Sequence, residues 1–93
     1  MSSAHYICLI HKDPDSGYGV SFPDVPGVIA VADTLDDAIA EAAAALEFAF
    51  EDGNHAAPRT LEDLRLDLDF QDQSKDAVIA AIRPSFRYYQ AAE

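Results

Sequence analysis

Apolar and polar residues alternate with a period of two in the first third of the chain. In residues 5–12 both alternating faces are mostly apolar, with Tyr6, Cys8 and Ile10 on one face and Ile7 and Leu9 on the other. This pattern predicts a central strand that is covered on both sides. Turn-forming residues follow at 13–17, and the alternation resumes over 18–22, which predicts a hairpin. A third β-prone segment, residues 28–32, completes a predicted three-stranded meander.

A helical period replaces this alternation after Thr34. Apolar residues recur at steps of three and four from Leu35 to Phe50, which places them on one face of a helix. Thr34 is a favourable N-cap, acidic residues in the first turn favour the positive end of the helix dipole, and Gly53 supplies a left-handed stop. These signals predict one long amphipathic helix.

One aromatic residue lies on the polar side of this helix. With about 100° per residue, Phe48 falls beside Asp37 and Glu41. An exposed apolar side chain there suggests that another structure covers it. Three alternatives remain open: the second helix or the C-terminal tail, a second copy of the chain, or a partner protein. Asp37, Glu41 and Phe48 are therefore candidate partner-binding residues.

Two periods compete in the segment that begins at Thr60. TLEDL favours a capped helix, whereas the leucines up to Phe70 alternate with charged residues as in a strand. We expect one or two helical turns followed by irregular chain. Residues 76–83 then predict a fourth strand, which Pro84 ends.

The segment PDVPG joins the second and third predicted strands. Pro23 and Pro26 fix φ, and Gly27 permits a turn that other residues resist. We therefore expect this turn to serve the backbone geometry first, so that Asp24→Asn leaves folding nearly unchanged. Asp33 is expected to end the third strand and lead into the N-cap Thr34.

Composition indicates a small folded domain with a strong negative field. The 93 residues are 49% hydrophobic and carry a formal net charge of −11, which repels nucleic acid and favours a basic partner. Cys8 is the only cysteine, which excludes a disulfide within the chain and suits a reducing compartment. No signal peptide or membrane-spanning stretch is evident, so we expect a cytoplasmic protein.

Reactive groups are sparse apart from carboxylates. The three histidines lack metal-ligand spacing, and neither a nucleophile elbow nor a phosphate-binding loop is present. Asp24 and Asp33, with the two aspartates of the first helical turn, are the best candidates for magnesium ligands in a nuclease. The predicted strand interiors carry no carboxylates to fix such a site, so we expect neither an enzyme nor a cofactor.

The order of these elements resembles the HicB family of antitoxins. The resemblance rests on the first strand, on GYGVSFPDVPGV and on ADTLDDAIAEAAAAL, and it covers residues 5 to about 84. It implies an α+β, partial ribonuclease H-like fold, with a three- to four-stranded mainly antiparallel sheet, one long helix and a second short helix. It does not imply nuclease activity, because fold alone carries no chemistry.

The family's role is to bind a small basic mRNA-cleaving toxin of the HicA type and to cover its catalytic histidine. The resemblance thus implies an antitoxin that forms dimers or tetramers. From the acidic face, the turn and the exposed aromatic residue we expect Asp24, Asp37, Glu41 and Phe48 to contact the partner. The turn and cap residues Pro23, Pro26, Gly27, Asp33 and Thr34 are expected to be structural. Alternatives are an orphan scaffold without a toxin and, less favoured, the metal-dependent nuclease.

The resemblance also sets expectations for domains. Residues 1–84 are expected to form the toxin-binding domain and residues 85–93 a tail. Family members commonly repress their own operon through a C-terminal helix-turn-helix or ribbon-helix-helix domain. The nine residues after Pro84 are too few for either, so we expect no nucleic-acid binding by this chain and no membrane partner.

Overall fold

A four-stranded antiparallel sheet organises the protein, which a computed structural model describes over residues 5–15, 17–52 and 57–85. The strands are β1 (Tyr6–Lys12), β2 (Tyr18–Ser21), β3 (Ile29–Ala32) and β4 (Val78–Ile82), in the spatial order β3-β2-β1-β4. The predicted meander of the first three strands and the central position of the first strand are therefore confirmed. The fold is α+β, as the resemblance implied.

One long helix, α1 (Leu35–Ala49), covers one face of the sheet. Thr34 is its N-cap, and the Thr34 hydroxyl accepts a hydrogen bond from the backbone N–H of Asp37, as predicted. The helix continues as a short 3₁₀ turn at Phe50–Asp52, and the predicted stop at Gly53 lies outside the described residues. Leu35, expected on the buried face, is 38% exposed because it lies at the open end of the first turn.

The main core lies between α1 and the sheet. Alternate residues of all four strands meet the small apolar side of the helix, and these buried residues form one cluster: Tyr6, Cys8, Ile10, Val20, Phe22, Ala30, Ala38, Ala42, Leu46 and Ile82. Alanines on α1 allow the helix to approach the sheet closely, and Leu46 is completely buried. This layer supplies most of the apolar burial that a small domain needs.

Two short helices lie on the opposite face. They are α2 (Leu61–Leu64), with Thr60 as N-cap, and α3 (Leu68–Gln73), with Asp67 as N-cap. The expectation of irregular chain after the first turn was wrong for α3, because Asp67 accepts hydrogen bonds from two backbone N–H groups and so starts a second helix. Their buried residues, Leu64 and Phe70, pack on Leu9 of β1.

Candidate functional site

The PDVPG turn has the backbone shape that its residues predict. The N–H of Val25 donates to the carbonyl oxygen of Phe22 at 3.2 Å, and the N–H of Val28 donates to that of Val25 at 3.2 Å. Gly27 has a φ of 97°, which side chains resist, so the glycine is required by the turn. Two successive tight turns therefore reverse the chain between β2 and β3.

The carboxylate of Asp24 is fixed by an arginine far along the chain. The backbone N–H of Arg59 donates to Oδ2 at 2.7 Å, and Arg59 Nε donates to Oδ1 at 2.6 Å. The Asp24 side chain is only 8% exposed. Because of this hydrogen bond from Arg59 to Asp24, the pKa of the guanidinium is raised. Asp24 therefore connects the turn to the segment that precedes α2.

This contact changes two expectations about Asp24. A carboxylate with two charge-assisted hydrogen bonds inside the chain stabilises the fold, so we no longer expect Asp24→Asn to be neutral. The same bonds occupy both carboxylate oxygens, which leaves Asp24 little to offer a partner. The sequence did not reveal the contact because 35 residues separate it from Arg59.

Arg59 also reaches the start of α3. Its Nη1 lies 3.4 Å from Oδ2 of Asp67, whose other oxygen accepts hydrogen bonds from the N–H groups of Asp69 and Phe70. These backbone hydrogen bonds, followed by the one from Arg59, lower the pKa of Asp67. One guanidinium thus joins the β2–β3 turn to the α2–α3 segment.

The predicted partner-binding residues of α1 lie on its solvent side. Asp37 and Glu41 are exposed, and Phe48 is 71% exposed. We call these three residues the α1 outer surface. The described second helix, α2, does not cover Phe48, and the tail from residue 86 lies outside the described residues. Asp33 is exposed between β3 and the N-cap of α1.

No catalytic arrangement is evident in the described part of the chain. No group of three or more histidine, cysteine, aspartate or glutamate side chains there is placed to hold a metal ion. Burial raises the pKa of the Cys8 thiol to about 11, so the thiol stays protonated at neutral pH and is a poor nucleophile. Among the described helices, none has the length and apolar character needed to cross a membrane.

Comparisons with known proteins agree on one family. A family model described as HicB_like antitoxin of bacterial toxin-antitoxin system matches residues 6–86. A search of curated proteins found no match.

Two solved structures of HicB antitoxins have a similar fold. The N-terminal domain of the Burkholderia pseudomallei antitoxin HicB shares 30% identity at a TM-score of 0.71, with 88% of this chain and 99% of that domain covered. The structure of the antitoxin HicB from the same organism shares 30% identity at a TM-score of 0.66, with 89% of this chain covered. The chain spans 64% of that antitoxin's length.

A third similar structure is a HicA3 and HicB3 toxin-antitoxin complex. The matched chain is 18% identical at a TM-score of 0.65, with 84% of this chain and 94% of that chain covered. At this identity the likeness concerns the fold alone.

Proposed function

The chain belongs to the HicB-like antitoxin family of bacterial toxin-antitoxin systems, and on that premise we propose that it binds and neutralises a small basic mRNA-cleaving toxin of the HicA type. Neutralisation is steric: the antitoxin covers the toxin's active site and so blocks the entry of RNA. The chain needs no catalytic group of its own for this role.

This proposal rests on the excess of exposed carboxylates that form no ion pair within the described part of the chain. Ion pairs in the described residues engage Asp24, Asp67 and Asp72. Asp37 and Glu41 on the α1 outer surface take part in no described ion pair and face solvent. A basic partner supplies the missing positive charge, and such a field accelerates association by about 10- to 1000-fold at low salt.

We assign Asp37 and Glu41 to electrostatic steering of the toxin, and Phe48 to direct contact with a partner. Charges at the rim of an interface act mainly on the rate of association, whereas an exposed aromatic side chain gains free energy when a partner covers it. Asp24, held by Arg59, contributes indirectly by fixing the turn.

The direct test is co-expression with the product of the adjacent reading frame. We expect that product, a short basic protein, to arrest growth when expressed alone, and this chain to restore growth and to co-purify with it. Growth that stays arrested, with no complex recovered, would favour the orphan scaffold. Metal-dependent RNA cleavage by this chain alone would instead favour the nuclease alternative.

Steering is tested by charge reversal. Asp37→Lys and Glu41→Lys should each slow association and flatten its dependence on salt between 50 and 500 mM. Asp15→Lys is the matched control, because it changes the net charge equally in the turn between β1 and β2. If all three variants slow association equally, net charge alone is responsible and the α1 outer surface has no special part.

A further inference from the structure

Residues 5–15, 17–52 and 57–85, which the structure describes, cover only half of the sheet face opposite α1. Directly paired residues of neighbouring strands share a face, so the pairs Leu9–Ser21 and Ser21–Ile29 form one row, and His11, Gly19 and Val31 form the next. The intervening residues Val20 and Ala30 lie in the core beneath α1, which places both rows on the other face.

The short helices bury the β1 and β4 side of this face and leave the β2 and β3 side open. Leu9 is completely buried under Leu64 and Phe70. Ile29 and Val31 on the edge strand β3 are 66% and 72% exposed. We call Gly19, Ser21, Ile29 and Val31 the open sheet surface.

Small residues on β2 leave space beside the large residues on β3. Apart from its chain neighbours, no atom of the described residues lies within 4 Å of a Cβ built on Gly19, so these residues leave the surface above β2 open to a side chain from outside. Ile29 and Val31 lie beside this space. Each pairs with a small residue of β2: Ile29 with Ser21, and Val31 with Gly19. A partner therefore meets a shallow apolar surface with room above β2.

Two further apolar side chains lie on the same side of the sheet. Leu66 and Leu68, in and after the α2–α3 connector, are 80% and 77% exposed. They flank Asp67, which Arg59 links to Asp24 in the β2–β3 turn. The connector is thereby held towards the end of the open sheet surface at which β2 and β3 are joined.

The charges around this surface determine which occupant fits. Between Gly17 and Ala32 the chain has one charged residue, Asp24, and Arg59 already pairs with it. The neighbouring segment 61–73 carries the exposed carboxylates Glu62, Asp63 and Asp69, among others, against one cation, Arg65. A neutral apolar centre with an acidic border suits a basic protein with an apolar contact face, whereas a second acidic copy meets like charge at the border.

We propose that the open sheet surface, bordered by Leu66 and Leu68, is where the basic toxin docks. The inference rests on the proposed function and adds the location of the contact. Asp37 and Glu41 on the α1 outer surface, which lies on the other side of the sheet, then act on this toxin through their field, and a contact of Phe48 is with a second copy of the chain.

The test compares two valines on the two edge strands. Val31→Lys places a positive charge on the open sheet surface, and Val78→Lys places the same charge on β4, where Val78 is 55% exposed and pairs with Ile10 on the α1 side. The probe is the adjacent-frame protein with its catalytic histidine replaced, and the measurement is its dissociation constant. We expect at least a tenfold loss for Val31→Lys and less than a twofold change for Val78→Lys.

A second variant tests the space without adding charge. Gly19→Leu should fill the room above β2 and also weaken binding at least tenfold, with melting temperatures of all variants close to that of the wild type. Toxin binding that survives both Val31→Lys and Gly19→Leu, while Val31→Lys converts a dimer to monomer in sedimentation, would assign the surface to a second copy and overturn the proposal. A wild-type chain that does not bind the probe at all would overturn the proposed function itself.

Discussion

The two faces of the sheet are closed in different ways. On one face α1, with 15 residues, covers strands across the sheet and contributes several buried residues to one continuous core. On the other, helices of four and six residues bury Leu64 and Phe70 against Leu9, and leave β3 exposed. The α1 face therefore supplies most of the apolar burial of the domain, whereas the second face buries a smaller cluster and leaves Ile29 and Val31 of β3 exposed.

The largest effect expected from this comparison follows removal of one buried leucine from each face. Leu46→Ala and Leu64→Ala both create a cavity at a fully buried site, which costs about 2–5 kcal/mol. We expect Leu46→Ala to lower the unfolding free energy of the whole domain, because its cluster unites helix and sheet. Leu64→Ala should mainly increase hydrogen exchange in α2 and α3. Equal exchange throughout the sheet in both variants would contradict the distinction between the faces.

Breaking the contact between Asp24 and Arg59 should have the next largest effect on stability. Asp24→Asn removes the charge that accepts two hydrogen bonds, and hydrogen bonds to charged groups contribute about 1.5–3 kcal/mol to stability. We expect a loss in this range by chemical denaturation, with faster exchange in the α2–α3 segment. Asp36→Asn is the control, since Asp36 is exposed in the first turn of α1. Equal stability of the two variants would show that the link is weak.

The turn between β2 and β3 should show a smaller loss. Gly27→Val forces a branched side chain into a positive φ and should cost about 1–3 kcal/mol, although space for the Cβ is available. Gly19→Val is the matched control, because its Cβ also meets no atom within 4 Å and valine favours strands. A thermal melt in which Gly19→Val is the less stable variant would contradict this assignment.

Acid should weaken the packing of α2 and α3 on the second face of the sheet, because Asp67 becomes protonated. Its pKa is lowered in the folded chain, so its contribution to stability is present above its unfolded pKa and is lost as the pH falls through the folded pKa. We therefore expect methyl NMR signals of Leu64 to change below about pH 4. Asp67→Ser keeps an N-cap without a titrating group and should reduce that change. An unaltered acid response in this variant would locate the titration elsewhere.

Phe48→Ser should have the smallest effect on stability. The side chain is 71% exposed, and exposed substitutions usually change the unfolding free energy by less than about 0.5 kcal/mol. Any loss should be in self-association or toxin binding, measured by sedimentation and by titration with the inactive toxin. A clear fall in melting temperature at low protein concentration would show that another part of the chain covers Phe48.

Regular periods made most of the α1 face predictable from sequence. The step of three and four residues, the N-cap at Thr34 and the two apolar faces of β1 each reflect burial directly, and all are confirmed. The second face was harder because Leu66 and Leu68 are apolar but exposed, so their alternation does not report burial. The Asp24–Arg59 contact depends on tertiary structure, which local propensity does not encode.

The central position of β1 has a consequence for synthesis of the protein. β1 is the second-last strand in the spatial order, and its outer side pairs with β4, so that Tyr6 meets Ile82 across nearly the whole chain. On the ribosome, β1 to β3 and α1 emerge early, but β1 keeps an unpaired apolar edge until β4 is translated. Such an edge invites aggregation and proteolysis. A transcript cut before the codon for Val78 therefore yields a chain without its fourth strand, and the supply of the folded domain depends on intact message.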